Sequence, residues 1–134
     1  MKNYRTLLVV ALLAGVPACS MLSGDDTEVR VVEQQEIDVG RVFVSKERQQ
    51  CEDDTGLPLD ATKAILENAG IRVFSSACAL VTGKMSAALC GSPTLHINIH
   101  GIDVTQFEEA ANLGFTPLST LKDEDLGYDP EACD

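Results

Sequence analysis

The sequence predicts an α+β domain of ferredoxin-like topology, a two-layer sandwich with the element order βαββαβ that is stapled by disulfides. Three observations support this prediction. Two successive passages each contain a β-rich run, an amphipathic helical stretch, and a glycine followed by an apolar residue. The second passage opens with the period-two alternation of a strand. Four cysteines lie along the same part of the chain, and a domain of this small size gains much from disulfides.

The first passage begins near Val39, and its β-rich run extends over residues 42–51. Residues 60–69 predict a helix, because their apolar side chains recur on one face. Gly70 is suited to end this helix in the left-handed conformation, and residues 71–74 predict the start of the next strand.

In the second passage, residues 95–99 alternate between apolar and polar side chains and predict a strand. Residues 105–108 have the pattern of a capping box at the start of a helix, which Gly114 is expected to end. The final strand, 115–118, contains Pro117. It must therefore be an edge strand or an extended segment, because proline has no backbone N–H to donate and a central strand does not accept it.

The N-terminal residues 1–18 predict a secretory signal. Two basic residues precede an apolar run over residues 7–16, which is too short to cross a ~30 Å hydrocarbon core as a helix. The run ends in Val16-Pro17-Ala18-Cys19. This ending resembles the lipobox of bacterial lipoprotein precursors, in which small residues precede a cysteine that is acylated and becomes the mature N-terminus.

The resemblance implies that Cys19 carries the lipid, and Ser20 in place of aspartate implies an outer-membrane anchor facing the periplasm. Cysteine parity agrees, because acylation of Cys19 leaves four cysteines to pair. An ordinary secretory cleavage site, which would give a soluble periplasmic or secreted protein, is the alternative. Residues 19–38 are then the lipidated N-terminus and flexible tether, 39–122 the α+β domain, and 123–134 an acidic C-terminal tail.

The formal net charge of −11 excludes nucleic acid as a partner, because phosphate binding needs clustered lysine and arginine. It is compatible with an envelope or extracellular protein partner of basic charge. Contact with the membrane is expected through the lipid anchor alone, and no cofactor or resident metal is expected.

The candidate binding surface consists of His96, Asn98 and His100, which share one face of the predicted strand while the residues between them point into the core. The Cα atoms of the two histidines would be about 13 Å apart at ~3.3 Å per residue, which disfavours a shared metal ion. We therefore expect a solvated sheet face.

Cys51, Cys78, Cys90 and Cys133 are expected to form two structural disulfides, because no Cys-x-x-Cys redox spacing occurs among them. The preferred pairing joins Cys78 to Cys90 and Cys51 to Cys133, with the acidic surface tail supplying Cys133. The second possibility joins Cys51 to Cys90 and Cys78 to Cys133. Direct pairing of Cys51 with Cys78 is disfavoured, because the predicted strand order places them about 10 Å apart, beyond the ~7 Å Cα limit.

No catalytic motif is recognisable, so the expected function is that of a lipid-anchored, non-enzymatic binding or interaction module. Three alternatives remain open. One is inhibition of a basic periplasmic or secreted hydrolase such as lysozyme, and another is peptidoglycan binding. The third is metal trafficking through His96, His100 and Met85.

Overall fold

The computed structural model describes residues 37–133, which form one antiparallel sheet with helices packed on it. The elements are β1 (Val39–Ser45), α1 (Leu59–Asn68), β2 (Ser75–Thr82), β3 (His96–Asp103), a 3₁₀ turn (Val104–Gln106), α2 (Phe107–Asn112), β4 (Thr116–Pro117), α3 (Ser119–Asp123) and β5 (Gly127–Glu131). The five strands lie in the order β4-β1-β3-β2-β5. The predicted α+β class is confirmed, while the predicted signal and nearly all of the tether lie outside the described residues.

Both predicted helix ends are confirmed. Gly70 and Gly114 adopt φ values of +85° and +91°, the left-handed region that glycine occupies at low cost. The next residue in each case, Ile71 and Phe115, donates its backbone N–H into the last turn of its helix over 3.0 and 3.1 Å. Both of these side chains are buried. Each glycine therefore turns the chain so that the following apolar residue enters the core.

Two local predictions are wrong. The predicted capping box over residues 105–108 does not form; instead Asp103 accepts from the Thr105 hydroxyl at 2.7 Å and from its backbone N–H at 2.9 Å. These two hydrogen bonds, the side-chain bond foremost, hold the pKa of Asp103 below its ordinary value. Residues 71–74 precede a strand rather than start one, because β2 begins at Ser75. Pro117, by contrast, lies in the two-residue edge strand β4.

The sheet is covered on both sides. We call the side that packs against α1 and α2 the α1 face; its apolar core contains Val42, Leu66, Ile71, Ile102, Ala110 and Phe115. We call the opposite side the α3 face; its core contains Ala79, Val81, Ile97, Ile99, Leu118 and Leu121. Alternate side chains of β3 serve the two cores. The prediction of two layers therefore did not include the helix α3, which covers the second side of the sheet. Within residues 37–133, no helix is both long and apolar enough to cross a membrane.

The predicted acidic tail is wrong at residues 127–131, because these residues form β5 and pair with β2 along its outer edge. The turn into this strand begins at Asp125, whose φ of +57° ends α3 as the glycines end the other helices. The next residue, Leu126, donates its N–H to the carbonyl of Leu121 over 2.7 Å. Asparagine and aspartate tolerate this conformation better than other non-glycine residues do.

All four cysteines beyond Cys19 form disulfides, as predicted, but the preferred pairing is wrong. Cys51 is bonded to Cys90 and Cys78 to Cys133, with Cα separations of 5.1 and 5.3 Å. The physical reason is the course of the C-terminus. Because β5 sets Glu131 opposite Cys78, it carries Cys133 to β2 rather than to the Cys51 loop.

Candidate functional site

The predicted exposed surface on β3 is wrong for two of its three residues. The side chains of Asn98 and His100 have no solvent exposure, because α1 lies directly over them. His96, nearer the start of the strand, retains 26% side-chain exposure. The alternation that placed these residues on one face is correct, but that face belongs to the core.

His100 is held by hydrogen bonds at both ring nitrogens. Its Nε2 lies 2.8 Å from the Thr62 hydroxyl of α1, and its Nδ1 lies 2.8 Å from the Ser76 hydroxyl of β2. The Thr62 hydroxyl donates to the carbonyl of Leu59 over 2.9 Å, so it accepts from His100. Ser76 then donates to Nδ1. We assign a neutral imidazole with its proton on Nε2, since this arrangement satisfies every group.

Asn98 extends the same buried network. Its Nδ2 donates to the carbonyl of Leu57 over 2.9 Å and to the Thr62 hydroxyl over 3.2 Å. The Cys78 sulfur lies 3.6 Å from the Asn98 Oδ1 as a contact, because a disulfide sulfur carries no proton to donate. Thr62 thus accepts from two side chains of β3 and joins α1 to the centre of the sheet.

Burial lowers the pKa of His100 to about 4, with the nearby Lys63 charge acting in the same direction and Glu67 opposing it. The imidazole is therefore neutral at pH 7. A neutral, fully bonded and buried histidine is a structural group, and it has no free nitrogen for a metal or a substrate.

His96, the first residue of β3, lies apart from this buried network. Its Nδ1 lies 2.8 and 2.9 Å from the two carboxylate oxygens of Glu131 on β5. His96 also borders a cavity of about 460 Å³ that is lined by Gln50, Met85 and Ser86 as well. Among residues 37–133, no three His, Cys, Asp or Glu side chains are placed to hold a metal ion together. The two predicted histidines therefore do not form one site.

A cleft that sequence reasoning missed begins on the α3 face and extends to Phe107 at the start of α2. Ala79 is 1% exposed beneath α3, whereas Ala77, two residues earlier on the same face of β2, is exposed. The helical cover thus ends between them. Beyond this point the Arg41 Nη1 donates to the Tyr128 hydroxyl over 3.2 Å, bridging from β1 to β5.

Two cavities meet at this Arg41–Tyr128 contact. One, of about 150 Å³, is lined by these two side chains together with Ser75, Ser76, Ala77, Cys78, Ala79, Ile99 and Pro130. The other, of about 360 Å³, is lined by the same pair together with Gly40, Val104, Phe107, Leu118 and Ser119. We refer to both cavities together as the Arg41 cleft.

The register of the sheet places a glycine beside Arg41. Gly101 on β3 lies between Arg41 on β1 and Ser75 on β2. A Cβ atom at Gly101 would come within 2.4 Å of the Ser75 hydroxyl. The sequence does contain one indication of the cleft. Arg41 alternates with the buried Val42 and therefore points to the side opposite the α1 face. What the sequence lacks is the pairing that sets a glycine beside the arginine.

Comparison of the chain with protein-family models, with curated proteins and with solved structures finds no match.

Proposed function

We propose that this protein is a lipid-anchored protein of the bacterial cell envelope that acts as a non-enzymatic binding module. The observation that carries the proposal is the pairing of the cysteines. Four of the five are consumed in two disulfides, which supports an oxidising compartment. Cys19 is left over at the position where the lipobox resemblance requires an acylated cysteine. The proposed location is the outer membrane, with the domain facing the periplasm.

The anchor is tested by fractionating cells that express the wild-type chain or Cys19→Ala. We expect the wild type in the membrane fraction, resistant to a salt wash, since several acyl chains hold a protein firmly where one does not. The variant should be soluble or remain unprocessed. A wild-type protein that is soluble, with an unmodified N-terminus at residue 19, would contradict the anchor.

The binding role is supported by the Arg41 cleft, which replaces the buried histidine face as the proposed site. Both described histidines have partners within the fold, His100 in the core and His96 on Glu131. We therefore propose no catalytic role for either of them.

We further propose that β1, β2, β3 and β4, with α1 and α2, belong to the ferredoxin-like class. Their relative order, β4-β1-β3-β2, and their antiparallel pairing support this assignment. In that description α3 and β5 are additions at the C-terminal end of the unit.

Inhibition of a basic hydrolase such as lysozyme is a second candidate, favoured by the net charge of −11. Capture of lysozyme that weakens steeply between 50 and 300 mM salt would support it. Binding to purified sacculi that does not change over this salt range would favour a peptidoglycan-binding module instead.

A further inference from the structure

The Arg41 cleft presents hydrogen-bond donors from two side chains. Arginine carries five N–H groups in a planar fork, and in residues 37–133 its one hydrogen bond here goes to Tyr128. Because the Tyr128 oxygen accepts that bond, its own proton remains available to a further acceptor. Both groups therefore offer protons at the same place, which fits a ligand group that only accepts.

The charge of the cleft is unusual for this protein. The chain as a whole carries a formal net charge of −11. Of the residues that line the two cavities, all of them within the described range, Arg41 alone is charged. No aspartate or glutamate borders the cleft to neutralise it. A planar anion with two acceptor oxygens matches the guanidinium fork in both charge and geometry.

The walls beside the arginine are mainly apolar. The smaller cavity is bordered by Ala77, Ala79, Ile99 and Pro130, and the larger one by Val104, Phe107 and Leu118. We propose that the Arg41 cleft binds the carboxylate of a ligand that carries a short apolar chain, with the carboxylate on Arg41 and Tyr128 and the chain against these walls. This inference rests on the proposed role as a binding module and names its ligand class.

The probe is hexanoate, compared with hexanamide, which has the same chain and no charge. Both are titrated into the ¹⁵N-labelled chain from residue 19 onward carrying Cys19→Ser, and amide shifts are recorded by NMR. We expect hexanoate to shift the amides of Ala77, Gly101 and Tyr128 saturably, with a Kd of about 1–10 mM, as befits a ligand of this size. Hexanamide should bind at least about tenfold more weakly.

Three variants assign the binding to its donors. Arg41→Met should weaken hexanoate binding at least about tenfold, and Arg41→Lys less, since the charge is kept and the fork is lost. Tyr128→Phe keeps the ring and should weaken it about threefold. Arg72→Met is the matched control: it also removes one arginine charge, but Arg72 lies over the Phe74 ring, outside the cleft lining. It should leave binding unchanged.

Two sources can supply such a carboxylate, a free short-chain acid or the C-terminus of a peptide. Acetyl-Ala-Ala-Leu with a free C-terminus, compared with its C-terminal amide, distinguishes them. If the free-acid peptide binds more tightly than hexanoate does, the cleft is a binding site for peptide C-termini. If hexanoate binds and the peptide does not, the cleft is a binding site for small carboxylic acids.

Three results would overturn the inference: equal binding of hexanoate and hexanamide, unchanged binding in Arg41→Met, or no saturable shift up to 50 mM of either acid. None of them bears on the lipid anchor, which the Cys19→Ala fractionation tests separately.

Discussion

Protonation of His100 should destabilise the folded domain at mildly acidic pH. The imidazole pKa is about 4 in the folded protein against 6.5 in an unfolded chain, so the unfolded state binds the proton more tightly. Stability is therefore fully present above pH 6.5 and falls as the pH drops towards 4. At 1.36 kcal/mol per pKa unit, the loss attributable to His100 amounts to about 3 kcal/mol over this range.

The assay is urea unfolding of the wild type and of His100→Gln at several pH values between 7.5 and 4. At pH 7.5 the variant should be less stable by about 1–3 kcal/mol, because Thr62 or Ser76 loses its partner. The two stability curves should then converge as the pH falls, since only the wild type loses the His100 contribution. All other ionisable groups are the same in the two proteins, so their contributions cancel in the difference. Parallel curves, or a folded-state His100 NMR titration with its midpoint near 6.5, would refute the reasoning.

Three further predictions concern the network, the disulfides and metal binding. Thr62→Val keeps the side-chain volume but removes the acceptor of the His100 Nε2–H and of one of the two Asn98 N–H groups, so urea unfolding should show a loss of about 3 kcal/mol. The control is Thr94→Val, which removes a buried hydroxyl that has no hydrogen-bond partner within residues 37–133. This variant should be as stable as the wild type or slightly more stable. Equal losses of unfolding free energy in the two variants would contradict the network. The Cys78–Cys133 bridge spans 55 residues and the Cys51–Cys90 bridge spans 39, so each should contribute about 4 kcal/mol by chain entropy. The double variant Cys78→Ser with Cys133→Ser should nevertheless lose more stability than Cys51→Ser with Cys90→Ser, because it also releases β5. The reverse ranking in urea unfolding would show that the end of β5 is not held in this way. Calorimetry with zinc should detect nothing tighter than micromolar, since both nitrogens of His100 are engaged; a nanomolar site lost in His96→Ala would contradict this.

The elements predicted well from sequence are those with strong local signals. The apolar stripe of α1 followed by Gly70, and the glycine that ends α2, carry their geometry in a few adjacent residues. The C-terminal α3 and β5 lack such signals. The left-handed residue that follows α3 is Asp125 rather than a glycine, and Leu121 is separated from Leu126 by Lys122 and three acidic residues.

The prediction of an exposed surface on β3 was wrong for a different reason. Alternation places His96, Asn98 and His100 on one face of β3, but it does not say whether water or a helix meets that face. Polar residues normally indicate water. Here the hydroxyls of Thr62 and Ser76 come from 38 and 24 residues away along the chain, and they satisfy His100 inside the core. Partners at such separations are set by tertiary structure.

The disulfide pairing depended on the same missing information. With residues 123–134 taken as a loose tail, Cys133 could reach Cys51. Once β5 is paired with β2, its register carries Cys133 to Cys78. A wrong assignment of one strand therefore changed both bridges.

The central claim is that Cys19 is acylated and that the other four cysteines form two disulfides. It is tested most directly by counting thiols in the membrane-extracted protein by intact mass spectrometry. Alkylation under denaturing conditions without reduction should add no groups, because all four other cysteines are bridged. Alkylation after reduction should add four groups to a chain that begins at Cys19 and carries the mass of its acyl groups. A fifth alkylated cysteine, with no lipid mass at the N-terminus, would contradict the account.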